Sequence, residues 1–238
     1  MAVTVPTRRL ERTLQRDGYR LILGLDEVGV ASVAGPVVAA AVAMPLDKRP
    51  IRGVRDSKTL SAKQREELYQ KIRRRALVVG IGAASVAEIE RLNIYHATVL
   101  AMRRAVARAG EHDFVIVDGN RIAGFEGFVG PYRAVIDGDA LCYAVSCASI
   151  VAKVTRDRLM NRLAVRYPGF GWEHNAGYAT RKHRQGLEAT GVTPHHRRTY
   201  ITVRRLGQGE QLSMEIPLQP QPDVTAPIFV PVLAGPSP

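Results

Sequence analysis

Two short apolar runs in this 238-residue chain end directly on acidic residues, and that placement limits what it can fold into. Leu21 to Asp26 and Phe114 to Val117 are too short for independent helices and too apolar for loops. Each reads as a buried strand, followed by Glu27 in one case and by Asp118-Gly119 in the other. A third run, Val37 to Ala43, comes after the turn signal Gly35-Pro36 and reads as the hairpin partner of the first. Ser61 opens an S-x-x-Q capping box with Gln64, so the charged run to Arg75 reads as a helix with an exposed face. Residues 76–84 suggest a further strand, and residues 86–109 one or two helices with Ile89, Leu92, Val99, Met102 and Val106 on the apolar side. Residues 140–165 are helical in pattern, and the small residues Ala144, Ser146 and Ala148 suit close packing on a sheet. Strands followed by alternating helices specify an α/β domain with a mixed central sheet flanked by helices.

The boundaries follow from composition. Residues 206–238 hold seven of the fourteen prolines and no Lys or Arg, so they are expected to form a disordered tail. Residues 1–20 are taken as an N-terminal segment and 21–205 as the folded domain. Cys142 and Cys147 are too few and wrongly spaced for a disulfide framework or a zinc site, and are expected to be free, buried thiols. No apolar run is long enough to cross a membrane and the N-terminus lacks a signal-peptide core, so a cytoplasmic protein is expected.

All 34 Lys and Arg residues lie in 1–205, against 22 Asp and Glu in the whole chain. This excess favours a polyanionic partner. Between Thr155 and Arg205 the cations are interleaved with Tyr167, Phe170, Trp172 and Tyr178, a mixture that suits a nucleic-acid groove, although a solvated basic surface reads the same way. His174, His183, His195 and His196 fall in this region, where a structural hydrogen bond or a phosphate contact is expected before metal binding.

The acids carry the chemistry. Asp26, Glu27 and Asp118 close strands, and Asp139 precedes the small-residue helix. Carboxylates converging from several elements repel one another unless a cation neutralises them, and oxygen-only donors favour Mg²⁺ or Mn²⁺ over zinc. A pair of such ions is the arrangement that cleaves phosphodiesters. Because consecutive strand residues face opposite ways, Asp26 and Glu27 serve one site only if the strand bends or one ligates through its carbonyl. The same acids also suit turns and a helix cap, and spacing alone leaves both readings open.

The ordered segments GLDEVG and AGPVVAAAV within 24 to 42, DSKTLSAKQREEL (56 to 68), EIERLNIYHATVLAMRRAV (88 to 106), VIVDGN (115 to 120), GDALCYAVSCASIVAKVTRDRLM (138 to 160), YPGFGWEHNAGYAT (167 to 180) and GVTPHHRRTY (191 to 200) together resemble bacterial ribonuclease HII. The resemblance implies an RNase H-like fold with a C-terminal helical extension. It also implies an endonuclease that cuts the RNA strand of RNA/DNA hybrids and the 5′ side of ribonucleotides embedded in duplex DNA, leaving 3′-hydroxyl and 5′-phosphate ends. By resemblance, Asp26, Glu27, Asp118 and Asp139 are the catalytic acids and hold two divalent ions. Tyr178 matches the tyrosine that stacks on the deoxyribose beyond the ribonucleotide, and Lys58, Lys153 and Arg156 match phosphate-contacting positions. A monomer is the family expectation.

One motif departs. After the acid pair the family carries Gly-Arg-Gly, a loop that meets the ribose 2′-hydroxyl largely through its backbone, whereas this chain has Gly29-Val30-Ala31. Val30 removes a cation, and Ala31 adds a Cβ where positive φ or close approach would demand glycine. The departure keeps two other readings in view: a metal-dependent nuclease of relaxed junction specificity, and a non-catalytic hybrid-binding protein.

Overall fold

The computed structural model describes residues 4–207. Its five strands are β1 (Ile22–Val28), β2 (Val37–Ala43), β3 (Val78–Ala84), β4 (Phe114–Asp118) and β5 (Tyr132–Val135), in one sheet of order β3-β2-β1-β4-β5. The helices are α1 (Arg9–Arg16), α2 (Ala62–Arg75), α3 (Val86–Ala109), α4 (Glu126–Val129), α5 (Gly138–Leu141), α6 (Tyr143–Arg166), α7 (Trp172–Asn175), α8 (Arg181–Thr190) and α9 (Ile201–Gly207). Strands β1, β2 and β3 pair antiparallel, while β1–β4 and β4–β5 are parallel, so the sheet is mixed as the alternation of elements requires.

Strand alternation divides the core. Leu23, Leu25, Ala39 and Ala41 face α3 and meet Ile89, Ala97, Ala101 and Met102. Ala40 and Val42 face the other way and pack with Leu68 and Ile72 of α2 and with Cys147 and Ile150 of α6. The small residues at the start of α6 do what their size allows: a Cβ on Gly24 of β1 would lie 2.2 Å from the Ala144 carbonyl carbon, so helix and strand backbones touch. A third cluster of Ala34, Met160, Phe170, Trp172 and Leu187 forms the core of the C-terminal helical extension.

The element boundaries have identifiable causes, and those after the 86–109 stretch differ from expectation. The 86–109 stretch is two helical pieces joined at Asn93 (φ 65, ψ 169), whose side chain accepts from the His96 amide and starts the second piece. The helix expected over 140–165 is interrupted by extended Cys142 (φ −108, ψ 124), leaving α5 ahead of α6. Residues of the N-terminal segment are built into the domain. Arg8 donates to the carbonyls of Pro45 (3.1 Å) and Lys48 (2.6 Å), and Glu11 accepts from the Ala144 amide at 2.9 Å. At the other end α9 runs through Gly207, two residues into the expected tail, and 208–238 lie outside the described residues. Both cysteines are free and buried, with burial pushing the Cys142 thiol up to about 12. Among the described residues, no helix is long and apolar enough to cross a membrane.

Candidate active site

The parallel register of β1 and β4 pairs Leu25 with Val117, which sets Asp26 and Asp118 side by side at the carboxyl ends of neighbouring strands. Both lie in the parity that faces α6, at the edge where parallel sheets place their ligand sites. Asp139 arrives from α5, and its backbone is tied to the same place: the Gly138 amide donates to Asp118 Oδ1 at 2.7 Å and the Ser146 hydroxyl to the Asp139 carbonyl at 2.6 Å. One carboxylate oxygen from each of Asp26, Asp118 and Asp139 lies within 4.8 Å of the others. Glu27, on the opposite parity of β1, stands outside this trio, yet its charge is felt by Asp26.

The electrostatics are those of an uncompensated acid cluster. Burial and the charges of Glu27, Asp118 and Asp139 hold Asp26 well above the usual carboxylate range, and a Ser149 hydroxyl hydrogen bond pulls the other way. Burial, then the Asp118 charge, pushes Glu27 up to about 7. Burial, then Asp139, also raises Asp118. Only Lys58 reaches in among the described residues, its ammonium 3.2 Å from Asp139 Oδ2 while its side chain stays 78% exposed. Lys58 is presented by an Asp56-capped turn, and Ser57 beside it contacts Ser149 at 2.9 Å, so the DSK segment and α6 brace Asp26 and Asp139 from one side. Three mutually repelling carboxylates with oxygen donors only fit a hard divalent cation, which would cancel the repulsion.

The substrate-side expectations fare unevenly. Tyr178 is 40% exposed, so part of its ring is open to solvent. Its carbonyl receives His183 Nδ1 at 2.8 Å, within a buried chain in which the Trp172 indole and His196 both bond His183 Nε2. The Thr193 amide donates to His196 Nδ1, so His196 Nε2 carries the proton and His183 donates from Nδ1 to Tyr178. These two histidines are structural; His174 is exposed beside Glu173. Lys153 is paired with Asp157 at 2.7 Å and its side chain is only 20% exposed. Arg156 is a correction: expected at a phosphate, it is fully buried and its nitrogens donate to the carbonyls of Pro36 (2.9 Å), Ala176 (2.7 Å) and Ala34 (3.0 Å). It lies on the stripe Ala152, Arg156, Met160, four residues apart and all buried, a spacing that marks the core face of a helix.

The loop after β1 resolves the concern over Ala31. Within Gly29-Val30-Ala31 only Gly29 needs glycine: its φ is +95, and a Cβ would lie 2.2 Å from Arg156 Nε. Ala31 is not among the residues of positive φ, and the Val30 side chain projects outward at 37% exposure. Sequence reasoning missed Arg197, whose buried guanidinium also sits under this loop, and Ser149, which lies one residue beyond the small-residue run read as packing.

The family profile described as Ribonuclease HII matches residues 23–203. A curated relative named Ribonuclease HII from Thermosynechococcus vestitus is 49% identical over 193 residues, covering 80% of this chain and 88% of the relative. Another of that name from Granulibacter bethesdensis is 50% identical over 198 residues, covering 81% of this chain and 89% of the relative. Among solved structures, the ribonuclease H2 from Pyrococcus horikoshii OT3 superposes with a TM-score of 0.70 at 26% identity, over 80% of this chain and 98% of that one.

Proposed function

The chain belongs to the ribonuclease HII family and is a ribonuclease H acting on RNA/DNA hybrids; on that premise we propose that it also cuts 5′ of single ribonucleotides embedded in duplex DNA, leaving 3′-hydroxyl and 5′-phosphate ends. The observation that carries the reading is the convergence of Asp26, Asp118 and Asp139 within 4.8 Å at the ends of parallel strands. With Glu27, these residues would hold two divalent ions, Mg²⁺ or Mn²⁺. Bound there, the ions supply water activation and charge stabilisation of the leaving 3′-oxygen.

The remaining roles belong to the chain itself. Ser149 orients the Asp26 carboxylate, and Lys58 keeps Asp139 aligned while offering its exposed ammonium to the nucleic-acid backbone. The Gly29–Ala31 backbone meets the ribose and Tyr178 stacks on the adjoining sugar. Lys153 pairs with Asp157, which also meets Arg65, and Arg65 donates to the Ser57 and Leu60 carbonyls, so this chain of charges supports the turn that presents Lys58.

The test is cleavage of a labelled DNA duplex containing one ribonucleotide, beside an RNA/DNA hybrid, with Mg²⁺, with Mn²⁺ and with chelator. A metal-dependent cut 5′ to the lone ribonucleotide is expected. Cleavage of the hybrid alone would replace this reading by one of relaxed junction specificity, and binding of both without a cut would make the protein a hybrid-binding one.

A further inference from the structure

The loop from Gly29 to Pro36 has almost no hydrogen bonding of its own: within it, one long bond joins the Ser32 amide to the Gly29 carbonyl at 3.4 Å. Its shape is imposed from outside. Arg197, from the segment before α9, donates to the carbonyls of Gly29 (2.6 Å), Val30 (2.8 Å) and Gly35 (2.9 and 3.0 Å). The Tyr200 hydroxyl adds a bond to Val30 at 3.1 Å. Arg156 takes the carbonyls of Ala34 and Pro36 and, on its third nitrogen, that of Ala176, two residues from Tyr178. The backbone completes the seam. Val33 and Ala34 amides donate to the Gly177 carbonyl, Gly35 to His195, and the Arg197 amide to Val33.

Two buried guanidiniums without a carboxylate partner among the described residues are a costly feature. Burial, then the neighbouring Arg197, lowers Arg156 to about 10, so it stays protonated at neutral pH. Their geometry shows what the cost secures. All peptide bonds of the described residues are trans, so the C=O and N–H of one peptide unit point in opposite directions. Drawing the Gly29 and Val30 carbonyls inward onto Arg197 therefore turns the Val30 and Ala31 amides outward. Neither amide donates to a protein acceptor among the described residues. They form a pair of adjacent donors on the exposed side of the loop, polarised by a cation behind the same peptides.

We infer that Arg197 and Arg156 are positioning residues that fix the peptide planes of Gly29–Ala31 and lock that loop to the Tyr178 turn, so that the ribose-reading amides and the sugar-stacking ring form one rigid face. The inference rests on the proposed reading that this face meets the ribose. It also accounts for the Gly29-Val30-Ala31 departure, because donors set by carbonyls held from behind do not depend on the side chains at 30 and 31. Lysine cannot replace Arg197: an ammonium lacks the planar fork that reaches three carbonyls at once.

The test is binding, in chelator, of a duplex with one ribonucleotide against the same duplex in all-DNA form. The unmodified protein should prefer the ribonucleotide. Arg197→Lys should reduce that preference about tenfold, the scale of one or two lost hydrogen bonds, while affinity for the all-DNA duplex stays within about twofold. General destabilisation would weaken both duplexes alike. Tyr178→Ala serves as the control on the reading itself. If neither the unmodified protein nor any variant distinguishes the duplexes, the ribose-facing assignment fails; if Tyr178→Ala loses the preference and Arg197→Lys keeps it, the clamp is overturned. Should Arg197→Lys not fold, amide hydrogen exchange on the unmodified protein decides. The amides of Val33, Ala34, Gly35 and Arg197 should then exchange as one slow unit, with Val30 and Ala31 fast when free and slowed by the ribonucleotide duplex. Independent exchange of 33–35 from Arg197, or protection of Val30 and Ala31 without nucleic acid, would contradict it.

Discussion

The strand-end acids and the arginine pair under the following loop are both clusters of like charge that are largely buried, and the fold treats them in opposite ways. Every guanidinium nitrogen of Arg156 and Arg197 is hydrogen-bonded, to the carbonyls of Gly29, Val30, Ala34, Gly35, Pro36 and Ala176. Asp26, Glu27 and Asp118 receive a few hydrogen bonds and the reach of one exposed lysine, and their affinity for protons rises instead. Buried charge that is fully hydrogen-bonded holds a shape; buried charge that is not is poised for a counter-ion. On the proposed reading, catalysis and recognition are divided between neighbouring stretches of one chain.

The contrast can be broken most severely at the acids. Asp118→Asn is expected to lower cleavage of an RNA/DNA hybrid about a thousandfold or more, since it removes an electrostatic group that cannot be replaced in place. The same substitution should raise the metal-free melting temperature, because it relieves repulsion. A fall in both would show that Asp118 serves the fold rather than the ion. Gly29→Ala comes next: positive φ and the Cβ approach to Arg156 should cost about 1–3 kcal/mol in denaturant unfolding and displace the recognition loop. Unchanged stability would mean that the arginines do not press on the loop as described.

Titration gives a finer separation. Glu27, raised from 4.5 to about 7, stabilises the metal-free fold at low pH, and that contribution is lost as pH rises from 4.5 through 7. His196, lowered from 6.5 to about 3 by burial and by His183, acts in the other direction, its contribution being present above 6.5 and lost as pH falls toward 3. The stabilisation by Asp118→Asn should therefore be larger at pH 7.5 than at pH 5.5 in thermal melts; an equal gain at both would remove the acid cluster as its source. The smallest expected effect is that of Val30→Arg with Ala31→Gly, which should change single-ribonucleotide cleavage by less than about threefold. A gain well beyond that would show that the loop's side chains read the substrate after all.

What could be read in the sequence was whatever leaves a periodic or local mark. Apolar runs ending on acids disclosed β1 and β4, and the Ser61–Gln64 box fixed the start of α2. The small residues of α6 announced its contact with β1. The β5 strand, four residues long at the sheet edge and only partly buried, leaves no such mark, and neither does the tie of α1 through Arg8 to distant carbonyls. Arginine at 156 resembles a surface cation until its place on the Ala152–Met160 stripe is noticed. Arg197 could not be found this way, because its partners are backbone carbonyls far away in the chain and carry no side-chain signature. Position after a strand brought Glu27 forward together with Asp26, whereas the sugar-stacking role of Tyr178 came from the motif resemblance alone.

The most direct test of the division between a waiting acid cluster and a satisfied arginine pair is calorimetric titration of the full chain with Mn²⁺ at pH 7, run in two buffers of different ionisation enthalpy. The account predicts binding accompanied by proton release, since Glu27 near 7 and Asp26 above the usual range must give up protons to the ion, and both binding and release should diminish in Asp118→Asn. Binding with no proton release, or binding that Asp118→Asn leaves intact, would contradict it.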